Sequence, residues 1–353
     1  MDATPHITNR CVGPTPAAAP PGQSPPAPGG VLRRMPIDPA LDDRILALDP
    51  EHVSEMDVRD ALACGPTPQI MNFHGGIYPV HLAMEDFAGF LVEMGYPAER
   101  IREPATQSYS YSPYQSSDKL AGKVAWFYEQ QATRVMLIGH SQGGMQVVKV
   151  LYELDGQLDK SVQVFDAHED QVQQRTWIVD PLTGARRPVA GVSVAYASAV
   201  GAGGITFVLP NQWSMINRLR QIPNTTDEFT GFFLNFDMVA WNVPGSAESR
   251  GFRHNGIAAV RNVSLPAHYN HVTLPATRRF AEDQALRDWM NSYTPDATMP
   301  APPAVPGGSD NGLLWATDVW YSVKKHWVLE AQKVIRARRA LLPAPAGMQE
   351  TTH

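Results

Sequence analysis

The sequence has little of what marks several classes of protein. Only two of its 353 residues are cysteine, Cys11 and Cys64, which is too few for a disulfide framework. The formal net charge of −6 gives no indication of nucleic-acid binding. No apolar run reaches the roughly 18 residues of a membrane-spanning helix, and the 11 histidines lack the paired spacing of metal ligands. We therefore expect no nucleic-acid partner, no spanning helix and no metal.

The N-terminal region also lacks the pattern of a secretory signal, in which a charged segment precedes an apolar one. We therefore predict a cytoplasmic protein, or one exported without a recognisable signal peptide. Residues 1–34 are rich in proline, alanine and glycine, a composition that predicts a disordered arm. Folded structure is expected to begin at residue 35.

Between residues 35 and 297, apolar strands alternate with amphipathic helices, and a hydrophobic content of 43% is enough for a large core. This alternation predicts an α/β fold with a mostly parallel central sheet and helices on both faces. The predicted strands are 70–73, 135–138, 192–197, 232–236 and 262–266, and the main predicted helices are 82–95, 118–131, 278–292 and one after Gly143. Two insertions, 156–190 and 201–229, are candidates for a cap, and the first contains a hairpin at 176–189.

A linker rich in proline and glycine, 298–310, precedes a C-terminal helix and tail, 311–353. The helix carries an apolar stripe with basic flanks, formed by Ala316, Trp320, Val323, Trp327, Ala331 and Val334. Such a stripe most often docks on its own domain or on a second subunit. It also fits contact with an anionic membrane surface. Because of the linker, we expect the helix to be separable from any chemistry of the preceding domain.

The most informative motif is Gly139-His140-Ser141-Gln142-Gly143, which directly follows the apolar run 135–138. A helical pattern comes next, so the motif lies between a buried strand and a helix, as a nucleophile elbow requires. The serine in this tight turn adopts a strained backbone conformation, and its neighbours must be small to keep helix and strand from colliding. Glycines at 139, 143 and 144 meet that need. We predict that Ser141 is a catalytic nucleophile.

A serine hydroxyl needs a base to take its proton, and the base needs a carboxylate that orients it. Asp237 is the best candidate for the carboxylate because it ends an apolar strand, where its side chain reaches the same edge of the sheet as the elbow. Asp180 lies in a turn and Asp227 lies in the second insertion, which makes both weaker candidates.

The base is expected in the loop after the last strand, where His268 and His271 both qualify. His271 is favoured because it lies deeper in the loop and nearer to the closing helix, and His268 is the alternative. His140 is not the base, since a side chain beside the elbow serine points away from its hydroxyl. The resulting chain order of serine, aspartate and histidine is the one expected for an α/β-hydrolase.

Two backbone donors are needed where negative charge develops on the substrate oxygen. One is predicted to be the N–H group of Gln142, at the start of the elbow helix. The other is expected in the loop after the strand 70–73, where His74-Gly75-Gly76 lets backbone N–H groups face a pocket. We assign it to Gly76, with Ile77 as the alternative.

His74-Gly75-Gly76 and the segment 139–144, about 65 residues apart, together resemble lipases and esterases of the α/β-hydrolase superfamily. The G-H-S-Q-G-G form is similar to that of bacterial lipases in particular, and the resemblance covers roughly residues 65–295. It implies an eight-stranded sheet, a Ser-Asp-His triad, a cap over the pocket and no cofactor. The chain departs from the family pattern in its oxyanion loop, which is neither H-G-G-G nor H-G-x-G, and in the hairpin 176–189.

The function predicted from these residues is hydrolysis of a carboxylic ester through an acyl-enzyme intermediate. The expected substrate is an apolar ester, either a lipid or a phospholipid acyl ester. Trp213, Met215 and Ile216 of the second insertion are predicted to line the acyl pocket. The alternatives are amide or thioester hydrolysis or acyl transfer by the same elbow, and a non-catalytic interaction protein built on this fold.

Overall fold

The computed structural model describes residues 26–27, 29–158, 161–203, 210–234, 251–295, 299–305 and 307–342. The strands are β1 (Ile70–Phe73), β2 (Met136–His140), β3 (Phe165–Asp166), β4 (Gln171–Val172), β5 (Trp177–Val179), β6 (Arg186–Pro188), β7 (Val194–Val200), β8 (Gln221–Ile222), β9 (Thr226–Phe233), β10 (Arg253–His254) and β11 (Ala259–Ser264). The α-helices are α1 (Gly30–Arg34), α2 (Pro39–Leu46), α3 (Glu55–Asp60), α4 (Tyr78–Glu93), α5 (Ser117–Gln131), α6 (Gln142–Leu154), α7 (Arg278–Ala281), α8 (Gln284–Asn291) and α9 (Leu313–Leu341). Short 3-10 helices cover Leu62–Cys64, Ala98–Arg100 and Pro210–Met215.

The central sheet has five strands within the described residues, in the order β1-β2-β7-β9-β11. Every neighbouring pair in it is parallel. Strand order in space therefore follows strand order in the chain. Helices α4 and α5 lie in the connection from β1 to β2, and α6 lies in the connection from β2 to β7. The prediction of an α/β fold with a mostly parallel sheet is confirmed, although the described part of the sheet has five strands where the family resemblance implied eight.

Alternate residues of each strand point to opposite sides of the sheet. Helices pack on these side chains and cover both faces. In β2, Met136 and Ile138 belong to one buried cluster and Leu137 belongs to another. Helices α4 and α9 contribute to the first cluster through residues such as Met84, Phe87, Trp315 and Trp320. Helices α5 and α6 contribute to the second through residues such as Leu120, Val124, Met145 and Val148.

The predicted hairpin is present, since β5 and β6 pair antiparallel with Trp177 opposite Pro188. It is attached to α5 by polar contacts. The guanidinium of Arg175 donates to Glu129 at 2.8 Å, and the hydroxyl of Tyr128 donates to Asp180 at 3.1 Å. The hairpin is thus fixed to the helix that covers one face of the sheet.

The second insertion is shorter than predicted. Strand β9 begins at Thr226, whereas the sequence predicted a strand only from residue 232. The start of β9 is polar because its side chains bind cations at the sheet edge: Asp227 accepts from Arg134 at 2.7 Å, and Glu228 lies 3.1 Å from Lys325. These charged residues interrupt the alternation of apolar and polar residues that would have predicted a strand from Thr226.

Helix α9 lies in the core, where Trp315, Trp320 and Trp327 are completely buried. Its polar residues also have partners inside the domain, since Asp318 pairs with Arg261 at 2.6 Å. Its apolar stripe is therefore docked on the chain's own domain, which argues against the expectation that the helix is separable from it. Helix α1 lies within the segment 1–34 that was expected to be disordered, and it packs on α9 in the same buried cluster.

Candidate active site

The strands of the sheet place several loops at one edge. His140 at the end of β2 is level with Val200 of β7, and Val200 is level with Phe232 of β9. Phe73, the last residue of β1, is level with Gly139. In a parallel sheet all these strands end on the same side. The loops that carry His74-Gly75-Gly76, Ser141 and His271 therefore leave the sheet at one edge, where β9 also ends at Phe233.

Ser141 occupies the turn between β2 and α6 with φ 57° and ψ −123°. This conformation costs a non-glycine residue on the order of 1–3 kcal/mol and persists only where the surroundings impose it. Here the backbone N–H of Ser141 donates to the carbonyl of Val200 at 2.8 Å, and α6 begins at the next residue. The serine is thus held in the backbone conformation expected of a nucleophile elbow.

The glycines around Ser141 permit a close approach between helix and strands. A Cβ atom on Gly143 would lie 2.2 Å from the carbonyl oxygen of Phe73, and one on Gly139 would lie 2.5 Å from the carbonyl oxygen of Gly143. Distances under 3 Å do not occur for real Cβ atoms, so a larger residue would push α6 away from the sheet. The small neighbours that the motif predicts are required by the packing.

The loop after β1 lies against the elbow. A Cβ atom on Gly75 would be 3.0 Å from the Cβ and 3.4 Å from the Oγ of Ser141. A Cβ atom on Gly76 would be 2.3 Å from Oε1 of Gln142. The hydroxyl of Tyr114 donates to the Gly76 carbonyl at 2.9 Å, which anchors the loop from its other side. Gly75 thus lies next to Ser141 and Gly76 lies next to the side chain of Gln142. Ile77 is the residue before α4 and is 56% exposed.

His74, at the start of this loop, is held close to its own backbone. Its Nδ1 is 2.6 Å from the carbonyl oxygen of Gly75, so Nδ1 carries the proton and donates. Burial lowers the pKa of His74, although this hydrogen bond opposes the shift. The ring of His81 lies against it, with centroids 4.8 Å apart. A neutral His74 therefore stiffens the loop that bears both glycines.

His271 is 92% buried, with 8% of its surface exposed. Its carbonyl oxygen accepts a hydrogen bond of 2.7 Å from Nε2 of His140. The two imidazole rings are in contact, with centroids 4.8 Å apart. The structure therefore brings His271 against the residue that precedes Ser141.

His268 has a different environment. Its side chain is 61% exposed, and its Nε2 lies 2.7 Å from a carboxylate oxygen of Asp310. Asp310 belongs to the segment before α9. The contact attaches the loop to that segment on the protein surface.

Asp237, the predicted carboxylate, lies outside the described residues. Its two rivals have other roles. Asp180 accepts hydrogen bonds from the backbone of Leu182 and Thr183 and closes the β5–β6 hairpin. Asp227 pairs with Arg134 at the start of β9, level with the start of β2. About six residues of strand, or roughly 20 Å, separate that end of the sheet from Ser141.

The three residues predicted to line an acyl pocket lie on the 3-10 helix Pro210–Met215 and just after it. Met215 is completely buried in the cluster between the sheet and helices α5 and α6. Its helical periodicity therefore reflects core packing, and its place in an acyl pocket stays a prediction. Trp213 and Ile216 are 57% and 50% exposed.

A group of exposed apolar side chains beside the elbow was missed in the sequence. Its members are Ile77, Tyr78, Leu82 and Tyr114, with exposed fractions of 56%, 71%, 50% and 63%. We call this group the apolar rim. Three of its residues follow Gly76 within six positions, and the fourth is bound to the Gly76 carbonyl. The signal in the sequence was the pair of large apolar residues directly after His74-Gly75-Gly76.

Within the described parts of the chain, the structure contains no group of three or more histidine, cysteine or acidic side chains that could hold a metal ion. None of the described helices is both long and apolar enough to cross a bilayer.

No family model and no curated protein matches the chain. Among solved structures, one titled "RedJ with PEG molecule bound in the active site" is similar over 65% of this chain and 92% of its own length, with 13% identity and a TM-score of 0.26. A similarity of this size carries no argument about fold or function. The function has to be argued from the geometry around Ser141.

Proposed function

We propose that the protein is a serine hydrolase with an α/β-hydrolase fold that cleaves carboxylic esters through an acyl-enzyme. The observation that carries the proposal is the backbone of Ser141, at φ 57° between a buried parallel strand and a helix. A strained residue of this kind, with Gly75 packed against its side chain, is retained where the strain serves a function. Here it presents a hydroxyl group at the sheet edge where the loops after β1 and β11 also lie.

The proposed reaction has two halves. The Oγ atom of Ser141 bonds to the ester carbonyl carbon while its proton passes to His271. The carbon–oxygen bond to the alcohol then breaks, and the alcohol leaves with the proton from His271. Water adds to the acyl-enzyme in the same way and releases the acid. Asp237 orients His271, and the N–H groups of Gln142 and Gly76 stabilise the oxyanion.

The proposed substrate is an apolar acyl ester. The apolar rim supports this choice because it places exposed hydrophobic surface directly after the glycines that flank Ser141. Exposed apolar groups that cluster at one place typically mark a binding site. An acyl chain bound there would bury the rim and gain roughly 25 cal/mol for each Å² removed from water.

Active-site labelling with a fluorophosphonate probe tests the proposal. The probe should label the wild-type protein at Ser141 and should not label Ser141→Ala. Ser292→Ala, which changes an exposed serine in the turn after α8, is the matched control and should label like wild type. A wild-type protein that is folded but neither labels nor cleaves any ester would contradict the proposal and favour a non-catalytic interaction protein.

A substrate panel separates ester hydrolysis from related reactions of the same elbow. Acyl esters, thioesters and anilides of one chain length should be compared at equal concentration. Faster turnover of the ester supports the proposed reaction. A preference for the thioester or the anilide would assign the same residues to thioester or amide hydrolysis.

A further inference from the structure

We propose that His140 is a positioning residue that holds the loop of the catalytic base against the nucleophile elbow. This inference rests on the proposed function, since it assigns a role to the residue beside Ser141. The elbow motif itself requires only a serine with small residues two positions before and after it, and it does not specify residue 140. The histidine at 140 therefore needs an explanation of its own.

His140 donates a hydrogen bond to the loop after β11. Nε2 of His140 lies 2.7 Å from the backbone carbonyl oxygen of His271. A carbonyl oxygen only accepts, so His140 carries its proton on Nε2 and donates it. The acceptor is the backbone of the same residue whose imidazole is proposed as the base. The bond therefore fixes the position from which that imidazole projects.

The surroundings of the His140 side chain restrict its position. It is completely buried, and its ring contacts the ring of His271. It projects from β2, a central strand with parallel neighbours on both sides. The donor is thus anchored in a strand that is paired on both sides, and the loop after β11 is held relative to it.

The same loop also contacts the start of α9. The backbone N–H of Asn270 donates to the side chain of Asn311 at 2.7 Å, and the hydroxyl of Tyr269 accepts from the backbone N–H of Leu314 at 3.0 Å. These contacts attach residues 269–270 to the start of α9. His140 supplies the contact on the opposite side, towards Ser141, and the loop is clamped between the two.

The charge of the His140 ring also matters for this role. Burial, and then the proximity of His271, lower the pKa of His140 well below its usual value. His140 therefore stays neutral at physiological pH. This matters because His271 becomes a cation when it takes the serine proton, and a second positive ring in contact would oppose that step. A neutral donor orients the base without this repulsion.

Substitutions at 140 separate this role from simple packing. His140→Gln keeps an N–H donor of similar reach, and His140→Phe keeps the ring but loses the donor. We expect the phenylalanine variant to lose about 10²-fold in kcat/KM, as for a misplacement of about 1 Å. We expect the glutamine variant to recover most of that loss. His326→Phe, which replaces another buried histidine stacked on Tyr196, is the control and should leave kcat/KM near the wild-type value.

The outcomes are distinct. If wild type labels with fluorophosphonate but the glutamine and phenylalanine variants at 140 lose activity equally, packing explains the residue and the proposal is wrong. Equal retention of activity by both variants also overturns it. If wild type does not label at all, the proposed function fails, and the anchor is tested by NMR of protein with 15N-labelled histidine. His140 should then show a neutral ring protonated on Nε2 at the pH at which exposed histidines titrate, and a titration of His140 together with them would refute it.

Discussion

The imidazole of His140 and the backbone carbonyl of His271 are joined by a 2.7 Å hydrogen bond although 131 residues separate them in the chain. The bond spans the sheet edge from β2 to the loop after β11. The candidate site is therefore formed by residues that are distant in the chain, and not by one local motif alone. Its described part is assembled from the loops after β1, β2 and β11, whose relative positions are fixed by strand register, and its geometry depends on the whole sheet.

The strain at Ser141 leads to a prediction with two variants. Both Ser141→Ala and Ser141→Gly remove the nucleophile, so each should lose on the order of 10⁴-fold or more in kcat. Glycine adopts φ 57° without a steric cost, whereas alanine does not. The glycine variant should therefore be more stable than the alanine variant by about 1 kcal/mol. Urea unfolding measures this difference, and equal stability would argue that the elbow is not strained.

The choice of base gives a second prediction. His271→Ala should abolish ester turnover and labelling of Ser141, because nucleophile and base act as one unit. His268→Ala should keep both, since its exposed ion pair with Asp310 contributes little to stability. Labelling rates and turnover of one soluble ester measure the pair. The reverse result would move the base to His268 while the reaction class stands.

A third prediction concerns the apolar rim. Tyr78→Ser and Leu82→Ser should raise KM for p-nitrophenyl esters with long acyl chains and leave the acetate ester almost unchanged. The reason is that only a long chain reaches beyond the glycines and covers the rim. Ile257→Ser is the control, because Ile257 is 90% exposed just before β11, at the opposite edge of the sheet. A rim variant with the same chain-length profile as this control would place the acyl chain elsewhere.

Much of the sheet could be predicted because its strands are apolar runs with local signals at both ends. Ile70–Phe73 and Met136–His140 are buried along their whole length, and each is followed by glycines that the packing requires. The strand–turn–helix geometry at Ser141 was predictable for the same reason, since the serine, the glycines and the helix start all lie within six residues. Such features depend on neighbours in the chain.

The features that the sequence did not predict depend on distant partners. The start of β9 was not predicted because it contains the charged residues Asp227 and Glu228. Their partners, Arg134 and Lys325, lie on other elements. The sequence of helix α9 is amphipathic, yet its polar residues Asp318 and Lys324 are buried. Asp318 forms an ion pair with Arg261, and Lys324 donates a hydrogen bond to the carbonyl of Val53. The anchor between His140 and His271 had no local signal either. A single sequence does not show which charged residues find partners across the fold.

The burial of α9 gives a fourth prediction. Trp327 is completely buried, its ring lies 4.5 Å from that of Tyr96, and its indole N–H donates to the carbonyl of Pro66. Trp327→Ala should therefore cost about 3–5 kcal/mol of unfolding free energy. Leu329→Ala, on an exposed position of the same helix, should cost far less. Truncation at Pro300 should give no soluble, folded product, and a stable, active truncation would show that the helix is dispensable.

Lys324 gives the last prediction, a dependence of stability on pH. Its side chain is buried in α9, and its ammonium group donates to the carbonyl of Val53 at 2.7 Å. Burial lowers the pKa of Lys324 from 10.5 to about 7. Between these two values the unfolded chain binds a proton that the folded chain has released. The free energy of unfolding should therefore rise with pH above about 7, by on the order of 1 kcal/mol per pH unit at most.

The measurement is urea unfolding at several pH values from 7 to 9, below the range in which tyrosines of the unfolded chain ionise. Lys324→Met removes the group and should flatten the slope. Lys333→Met, at an exposed position of the same helix, should leave the slope as in wild type. Because the lowered pKa penalises the folded state most at the acid end of this window, the methionine variant should gain on wild type at pH 7 relative to pH 9. Parallel curves for wild type and Lys324→Met would show that the buried lysine keeps its proton throughout and that the carbonyl oxygens around it offset the cost of burial.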